Sequence, residues 1–482
     1  MNLKKIIENL FYATIFFLPW QTMWMGREPW VGGFKWEYGV MGVYGVDVLL
    51  VALLGLILIK WVKDTRYKIQ DTNKSQISNL KSQGKANIKI LNYKTLLFIS
   101  SFLIFSWSLG SIFWSPDKPL AVYFSGKLLL ALGLFWAVRR IEFSWKKLLM
   151  ILLLAGALQG ALGVGQFLLQ GTFSSKWLGM SVHHAAQGGA SVLENASGRW
   201  LRAYGSFPHP NMLGGYLAIM LLMIVGKGKS MKNFQFPISN FDSILNDIIL
   251  KLKNYNLVQN SIRQLADKIQ NSYHTLYYVS NILIFSGLIV SFSRSAWLVF
   301  VLGFGILFLL QKTRRKELKK MLIIFLGTAL VWLAAFSPLF LARTQGEARL
   351  EKKSVDDRVE YVAQAREIIR EHFWLGVGTG NYTKAVYENS PQKKIWEIQP
   401  VHNVFLLVWA ELGLVGLVLW LGFLGNIFLV GYKKNKTFTL VLYAACCMLY
   451  VLDHWLWDSH FGLLFFFLLL GLILREKEVE MG

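Results

Sequence analysis

Twelve stretches of mostly apolar residues follow one another along the chain, and they restrict its fold more than any other feature. They lie at residues 5–25, 40–60, 94–114, 121–138, 148–170, 211–226, 275–292, 295–311, 321–341, 402–424, 437–452 and 461–474. A helix needs about 20 apolar residues to cross a bilayer, whereas strands of a membrane barrel are about half as long and alternate in polarity. Because 54% of the residues are hydrophobic and only 16% charged, a water-soluble or disordered chain is excluded. The sequence predicts an all-α, polytopic integral membrane protein with about twelve transmembrane helices.

The net charge of +23 indicates membrane topology rather than nucleic-acid binding. If the N-terminus lies inside, roughly two thirds of the 51 Lys and Arg residues fall on the inner side, as the positive-inside rule requires. The bias is clearest in three short connectors, 139–140, 312–320 and 433–436. We therefore expect both termini to be cytoplasmic, with membrane lipids around the spans and no nucleic-acid partner.

Two outer segments, 171–210 and 342–401, are too long to be simple connectors. Long ordered loops usually carry function, so the active site is expected to face outward. Within the second segment, Ser354 and Asp357 resemble a capping box, which predicts a helix from there to Trp374.

Two inner segments, 63–93 and 227–274, are also long, and neither is assigned a chemical role. The polar composition of 72–89 is typical of a disordered stretch. Apolar residues at helical spacing between lysines predict a helix on the inner leaflet over 241–270.

Three polar motifs fall on the outer side of this topology. The segment from Arg202 to Asn211 precedes a span, Arg294 lies between two spans, and His402 and Asn403 open another. The topology was derived from charge alone, without using these motifs. That all three fall on the same side is therefore independent support for one site.

These motifs resemble the O-antigen ligase and polymerase superfamily of bacterial polysaccharide enzymes. A His-Asn pair is followed after nine residues by Gly and after two more by a second Gly, and an Arg-x-x-x-Leu motif precedes it. The matching residues keep one order along the chain: Arg202, Asn211, Arg294, Leu298, Arg358, the segment 375–381, His402, Asn403, Gly413 and Gly416. The resemblance implies N-terminal helices and a first outer loop in 1–200, a catalytic core in 201–430, and C-terminal helices in 431–482.

The resemblance further implies a metal-independent glycosyltransferase without a cofactor in the cytoplasmic membrane. Its donor would be a glycan on undecaprenyl diphosphate, and its acceptor a hydroxyl of a growing glycan, a lipid A core or another molecule. A polymerase is slightly favoured over a ligase.

Such chemistry requires groups that hold a diphosphate and a base that deprotonates the acceptor. Arginine grips phosphate with two parallel bonds, so Arg202, Arg294 and Arg358 are assigned to the diphosphate. The alternatives are snorkelling to the interface for the first two and a surface ion pair for Arg358. His402 is assigned as the base, since imidazole is neutral near pH 7; the alternative is a histidine that caps the following helix.

Further residues receive supporting roles. Asn211 and Asn403 belong to the motifs, and Glu411 lies within a span, where it could partner an arginine or line the acceptor cavity. Gly413 and Gly416 share a helix face, which favours close packing. Histidines and aspartates elsewhere on the outer side show no zinc-like spacing, so no metal is expected.

Two other classes remain open. A transporter or lipid-glycan flippase needs no catalytic base and would show ionisable residues near the midplane or interrupted, symmetry-related helices. A non-catalytic assembly scaffold would tolerate substitution of His402.

Overall fold

The computed structural model describes residues 2–75, 93–195, 198–228, 274–345 and 349–475. These residues are mostly helical. The helices are α1 (Leu3–Phe17), α2 (Gly45–Ser75), α3 (Tyr93–Gly110), α4 (Lys118–Arg140), α5 (Trp145–Leu169), α6 (Pro210–Gly226), α7 (His274–Val290), α8 (Arg294–Leu310), α9 (Arg315–Gln345), α10 (Arg349–Glu371), α11 (Tyr382–Asn389), α12 (Val404–Lys434), α13 (Lys436–Leu452), α14 (Trp455–Asp458) and α15 (His460–Ile473).

Short strands form three antiparallel pairs in the described part of the chain. β1 (Met23–Arg27) pairs with β4 (Met41–Tyr44), β2 (Trp30–Val31) with β3 (Phe34–Lys35), and β5 (Val192–Asn195) with β6 (Gly198–Leu201). All of them lie in segments between the long helices, so they add hairpins to a helical membrane protein without changing its class.

Six helical stretches among the described residues are long and apolar enough to cross a membrane, and they include α2, α3, α4, α5, α9 and α12. Five further apolar helices of 10–17 residues are α6, α7, α8, α13 and α15. The chain is therefore a multi-pass membrane protein. That all twelve apolar stretches span the bilayer stays a prediction.

Two boundaries differ from those expected. α1 ends at Phe17 rather than at residue 25, because Pro19 has no backbone N–H to continue the helical hydrogen bonds. α10 begins at Arg349 and ends at Glu371, so Ser354 lies inside the helix and the predicted capping box is wrong. The helix starts earlier because the residues from Arg349 to Lys353 are themselves good helix formers.

Most of the segments 63–93 and 227–274 lies outside the described residues. Residues 72–75 of the polar stretch belong to α2, while the rest of 72–89 and the whole predicted helix at 241–270 lie outside the described residues. Their predicted structures stay predictions.

The chain folds into two compact units. The first comprises Met1–Glu142, Phe173–Ser181 and Gln345–Gly482, and the second comprises Phe143–Thr172 and Val182–Thr344. The division of the chain at residues 200 and 430 stays a prediction about function.

In the first unit, α15 packs along α4, and α12 packs along α3. Aromatic rings fill the space between these helices. The ring centroids of Phe135 in α4 and Phe423 in α12 are 5.7 Å apart, and Trp420 is completely buried. This core supports the segment that contains His402.

In the second unit, α6 is the central element, with every residue from Met212 to Val225 buried. α5 and α8 pack on it. α5 and α7 approach so closely that a Cβ at Gly287 would lie 2.6 Å from the Cα of Gly160, a contact that small residues make possible in membrane helices.

Candidate functional site

Helix α12, which follows His402, is interrupted at Gly413, where φ is +69° and ψ is −177°. Only glycine adopts this conformation readily, and a Cβ here would lie 2.1 Å from the carbonyl oxygen of Trp374. Backbone hydrogen bonds join the break to the loop at 373–378: Val377 N to Ala410 O (2.9 Å), Gly378 N to Glu411 O (2.8 Å) and Leu414 N to Phe373 O (2.8 Å). The break is thus a docking point for the loop between α10 and α11.

That loop turns through Gly376, Gly378 and Gly380, all with positive φ. It is anchored at its end, because Asn381 accepts a 2.9 Å hydrogen bond from the backbone N–H of Asp117. Asp117 also caps α4 and binds Arg27 with two hydrogen bonds of 2.8 and 2.7 Å. The Arg27 guanidinium lowers the pKa of the Asp117 carboxyl, so the carboxylate stays charged.

His402 lies two residues before α12, and its neighbour Asn403 caps the helix by accepting a hydrogen bond from Leu406 N (3.1 Å). The capping role considered for His402 is therefore filled by Asn403. The imidazole of His402 is left to interact with side chains from other elements.

Two rings hold the imidazole of His402. The Tyr361 ring of α10 stacks on it, with centroids 5.8 Å apart and planes 9° from parallel. The His454 ring meets it edge to face, at 4.7 Å and 86°. Nδ1 of His402 is buried and has no hydrogen-bond partner among the described residues.

The surroundings of His402 keep it neutral. Burial lowers its pKa most, because it penalises the charged form, and the nearby charges of His454 and Arg358 lower it further. The Asp453 charge and a hydrogen bond to the Pro400 carbonyl act in the opposite direction without reversing the shift. A neutral imidazole can accept a proton.

The pKa of His454 is shifted in the opposite direction. Its Nδ1 lies 2.7 Å from Oδ2 of Asp458, and its backbone N–H donates to Asp453. Burial lowers the pKa of His454, but the charge and hydrogen bond of Asp458, together with the Asp453 charge, raise it more. Two histidines in contact thus differ in how readily they hold a proton.

His402, Asp453 and His454 also present ligand atoms within 4.8 Å of one another. Imidazole and carboxylate are donors that zinc and related ions accept. The sequence analysis predicted no metal because these residues have no local ligand spacing, yet the fold brings them together. The arrangement has the chemistry to hold a divalent cation.

Arg358 is half-buried on α10, one turn before Tyr361. It acts electrostatically on both His402 and His454. No ion pair joins Arg358 to a carboxylate within the described ranges, so the surface ion pair considered for it is not found there.

Glu411 is buried in α12, and its carboxylate accepts hydrogen bonds from the Trp457 indole (2.9 Å) and from the backbone N–H groups of Gly380 and Tyr382. It therefore ties the loop between α10 and α11, and also α14, to the broken helix, rather than partnering an arginine. Gly416, one turn further, lies against α3, where a Cβ would be 3.0 Å from the Trp107 ring.

In the second unit, Arg202 is buried with a 5% exposed surface. Its guanidinium donates to the Ser291 carbonyl (2.8 Å), the Ser191 hydroxyl (2.9 Å) and the Asn211 side chain (2.8 Å). Asn211 lies in the first turn of α6, which His209 caps. Arg202 therefore organises the segment that leads into α6.

Arg294 is half-buried at the first position of α8, with Ser293 as the helix cap. The preceding turn is strained, since Phe292 has φ +48°, which is uncommon for a bulky residue. Arg343 of α9 holds this turn by donating to the Phe292 carbonyl (3.0 Å). The sequence analysis did not single out Arg343, because an arginine near a span end is ordinarily a topology signal.

The predicted site residues divide between the two units. The first unit contains Arg358, His402, Asn403, Glu411, Gly413 and Gly416, and the second contains Arg202, Asn211 and Arg294. Asp453, His454 and Asp458 were missed as partners of His402. Their only sequence signal was a group of histidines and aspartates after a span.

The comparison with protein families identifies one domain. Residues 279–421 match the model Wzy_C, described as O-Antigen ligase. The matched segment contains Arg294, Arg358 and His402, and it ends before the Asp453 cluster. A search among curated proteins found no match. Residues 279–421 of this multi-pass membrane protein are thus an O-antigen ligase family domain, the domain of O-antigen ligase and polymerase-type membrane glycan transferases.

Proposed function

We propose that this protein transfers or polymerises a glycan from an undecaprenyl diphosphate-linked donor onto a hydroxyl acceptor at the outer face of the cytoplasmic membrane. The observation that carries the proposal is His402: a half-buried imidazole, kept neutral, whose buried Nδ1 has no hydrogen-bond partner among the described residues, inside the matched family domain. An unsatisfied buried nitrogen requires a reason, and a role in proton transfer supplies one.

The reaction requires the protein to position the two substrates and to accept a proton from the acceptor hydroxyl. The acceptor oxygen attacks the anomeric carbon, the bond from that carbon to the diphosphate breaks, and its electron pair leaves with the phosphate. His402 takes the hydroxyl proton as the new bond forms. The sugar diphosphate is already activated, so the proposal needs neither metal nor cofactor.

Arg202 and Arg294 are proposed to bind the leaving diphosphate, with Arg358 in a lesser role. Their support is chemical: a guanidinium stays charged and matches phosphate geometry. Arg294 has the further advantage of a helix N-terminus, where backbone N–H groups attract anions. Arg202 has a structural role as well, and its binding role must be separated from that by experiment.

A flippase is the second candidate, because interrupted helices such as α12 are common in transporters. In transporters the freed backbone groups coordinate substrate or ions. Here the groups at the break bind the loop at 373–378 instead, which favours a docking role for the interruption. The acceptor, a growing glycan, a lipid A core or another molecule, is left open by the proposal, with a slight preference for polymerase.

Purified full-length protein in liposomes, supplied with a polyprenyl diphosphate-linked glycan and acceptor, tests the proposal. Wild type should lengthen or transfer the glycan, and His402→Ala should lose transfer by about a hundredfold or more while inserting normally. His372→Ala is a matched control, since His372 is exposed at the end of α10.

Bilayer crossing of the donor without any new glycosidic bond would assign the protein to flippases and reject the proposal. Full transfer activity of the His402→Ala variant would reject the assignment of His402 as the base. A wild-type reaction that stops with a chelator and returns with a divalent ion would reject the metal-independent mechanism.

A further inference from the structure

Two side chains from the segment after α13 meet His402 just before the start of α12. One ring nitrogen of His402, one ring nitrogen of His454 and one carboxylate oxygen of Asp453 lie within 4.8 Å of one another. Nε2 of His454 is 4.0 Å from Oδ1 of Asp453, and the two imidazole rings meet edge to face with centroids 4.7 Å apart. Three donor atoms from two separate segments of the first unit therefore converge on one small volume.

We propose that His402, Asp453 and His454 form a binding site for Zn²⁺, and that an ion bound there inhibits glycan transfer. The inhibitory part rests on the proposed function, because a zinc ion on His402 occupies the imidazole that takes the hydroxyl proton. The ion is an inhibitor rather than a cofactor, so the transfer reaction itself stays metal-independent. Two of the three ligands lie outside the matched family domain.

The donor set favours zinc over magnesium and calcium. Imidazole suits zinc, whereas magnesium and calcium prefer shells of oxygen ligands. Two imidazoles with one carboxylate form a zinc site with three protein ligands and an open fourth position. Donor atoms in a tetrahedral zinc shell are about 3.4 Å apart, given bonds of about 2.0–2.1 Å. The 4.0 Å separation of His454 from Asp453 therefore closes with small side-chain rotations.

Asp458 prepares His454 for this role. Nδ1 of His454 lies 2.7 Å from Oδ2 of Asp458, which leaves Nε2 for the ion. A ligating histidine almost always donates its other ring N–H to an oxygen, because this contact fixes the ring and makes the ligating nitrogen more basic. The Asp453 carboxylate is also held in place, since its Oδ1 accepts a 2.9 Å hydrogen bond from the backbone N–H of His454.

Nδ1 of His402 is a second observation that indicates a ligand. This nitrogen is buried and has no hydrogen-bond partner among the described residues, which requires a reason. A bond to a metal ion satisfies an imidazole nitrogen as a proton does. One lone pair serves only one of the two at a time, so zinc binding and proton transfer at His402 exclude each other.

The charges and the exposure of the site suit a dication. Among the charged side chains that act on the two histidines, the carboxylates of Asp453 and Asp458 outnumber the guanidinium of Arg358. His402 and His454 are both half-buried rather than fully enclosed, which gives an ion a route to the ring nitrogens.

Zinc binding by the purified full-length protein, measured without substrate and at one fixed pH, tests the site itself. Wild type should bind Zn²⁺ in competition with a chromophoric chelator, and an equal concentration of Mg²⁺ should not displace it. Asp458→Asn should weaken zinc affinity about tenfold. His454→Gln and Asp453→Asn each remove a ligand and should weaken it more. His372→Gln, at an exposed histidine, should bind zinc as wild type does.

Thermal unfolding recognises misfolded variants in the same samples. An ion that binds only the folded state raises the unfolding temperature, so Zn²⁺ should raise it for wild type and for His372→Gln. It should not raise it for His454→Gln or His402→Ala. The ligand variants are independent of one another, so any of them that keeps the metal-free unfolding temperature of wild type decides the result.

The liposome transfer assay tests inhibition. Zn²⁺ should stop transfer by wild type, a chelator should restore it, and the same concentration of Mg²⁺ should have no effect. Each variant is compared with its own metal-free rate. The zinc concentration that halves this rate should rise about tenfold for Asp458→Asn and should be unchanged for His372→Gln.

Equal zinc affinity in wild type and in folded ligand variants would overturn the site. Zinc that binds there without slowing transfer would overturn its inhibitory role. Failure of the proposed function would look different, because wild type would form no new glycosidic bond even without zinc while binding still decided the site. A wild-type enzyme that transfers glycan only with the ion bound would overturn both the inhibitory role and the metal-independent mechanism.

Discussion

His402 and His454 show how two like residues in contact acquire different properties. Burial and the neighbouring charges of His454 and Arg358 lower the pKa of His402, while Asp458 and Asp453 outweigh the burial of His454 and raise its pKa. The difference between the pKa shifts of the two histidines comes from the aspartates after α13, which are far from His402 in the sequence.

The lowered pKa of His402 predicts how wild-type activity depends on pH. The base is neutral above its pKa, so activity should persist as pH falls through the usual histidine value of about 6.5 and should be lost only at lower pH. The measurement is kcat/KM against pH in liposomes with stable enzyme. An acid limb at or above the usual histidine value would contradict the assigned environment of His402.

Replacement of Arg202 or Arg294 by lysine should weaken donor binding. Each variant keeps the charge but loses the paired bonds to phosphate, so KM for the donor should rise about tenfold. Arg202→Lys should in addition destabilise the protein by about 1–3 kcal/mol, because three protein acceptors lose the guanidinium as their donor. Donor titration and thermal unfolding in detergent measure these effects; an unchanged KM for the donor in both variants would contradict the binding roles.

At the scale of elements, the break in α12 is the feature that most shapes the loop between α10 and α11. Gly413→Ala forces a side chain into a glycine conformation, at a cost of about 1–3 kcal/mol, and pushes a Cβ against Trp374. We expect a lower unfolding temperature and weaker transfer, because the loop at 373–378 loses its docking point.

Gly422→Ala is the matched control on the same helix. Nothing lies within 4 Å of a Cβ at Gly422, so this variant should be as stable as wild type or slightly more stable. If Gly413→Ala and Gly422→Ala had the same unfolding temperature, the break would have no structural importance.

Several elements could be predicted from periodicity and length. α5, expected at 148–170, is observed at Trp145–Leu169, and α13, expected at 437–452, is observed at Lys436–Leu452. The break at Gly413 could not be predicted, because the apolar pattern of α12 continues through it. β5 and β6 were missed because short hairpins in a long loop have no sustained alternation of polar and apolar residues.

At the scale of the whole molecule, the charge bias predicts which ends of the helices face the cytoplasm. In a background with Cys446→Ser and Cys447→Ser, Gln392→Cys should react with an impermeant maleimide added outside intact cells. Lys319→Cys should react only after permeabilisation. Both positions are exposed, so accessibility reports sidedness. The reverse pattern would invert the topology and place His402 at the cytoplasm.

The candidate site could be predicted only in part. His402 and Arg294 were recognisable because they lie in motifs at span ends, and both fall within the matched domain. The pairing of His454 with Asp458, and the support of the Phe292 turn by Arg343, depend on side chains that meet only after folding. Sequence alone identifies the reactive residue types, while their partners come from tertiary structure.

The central proposal is that His402 is the base for glycan transfer from a polyprenyl diphosphate-linked donor. An electron cryomicroscopy structure of the full chain in lipid nanodiscs, with a polyprenyl diphosphate-linked glycan bound to the His402→Gln variant, tests it most directly. The account predicts that residue 402 faces the glycosidic bond of the bound donor, close enough for its side chain to reach an acceptor hydroxyl there. A glycosidic bond held away from residue 402, or at the opposite end of α12, would contradict it.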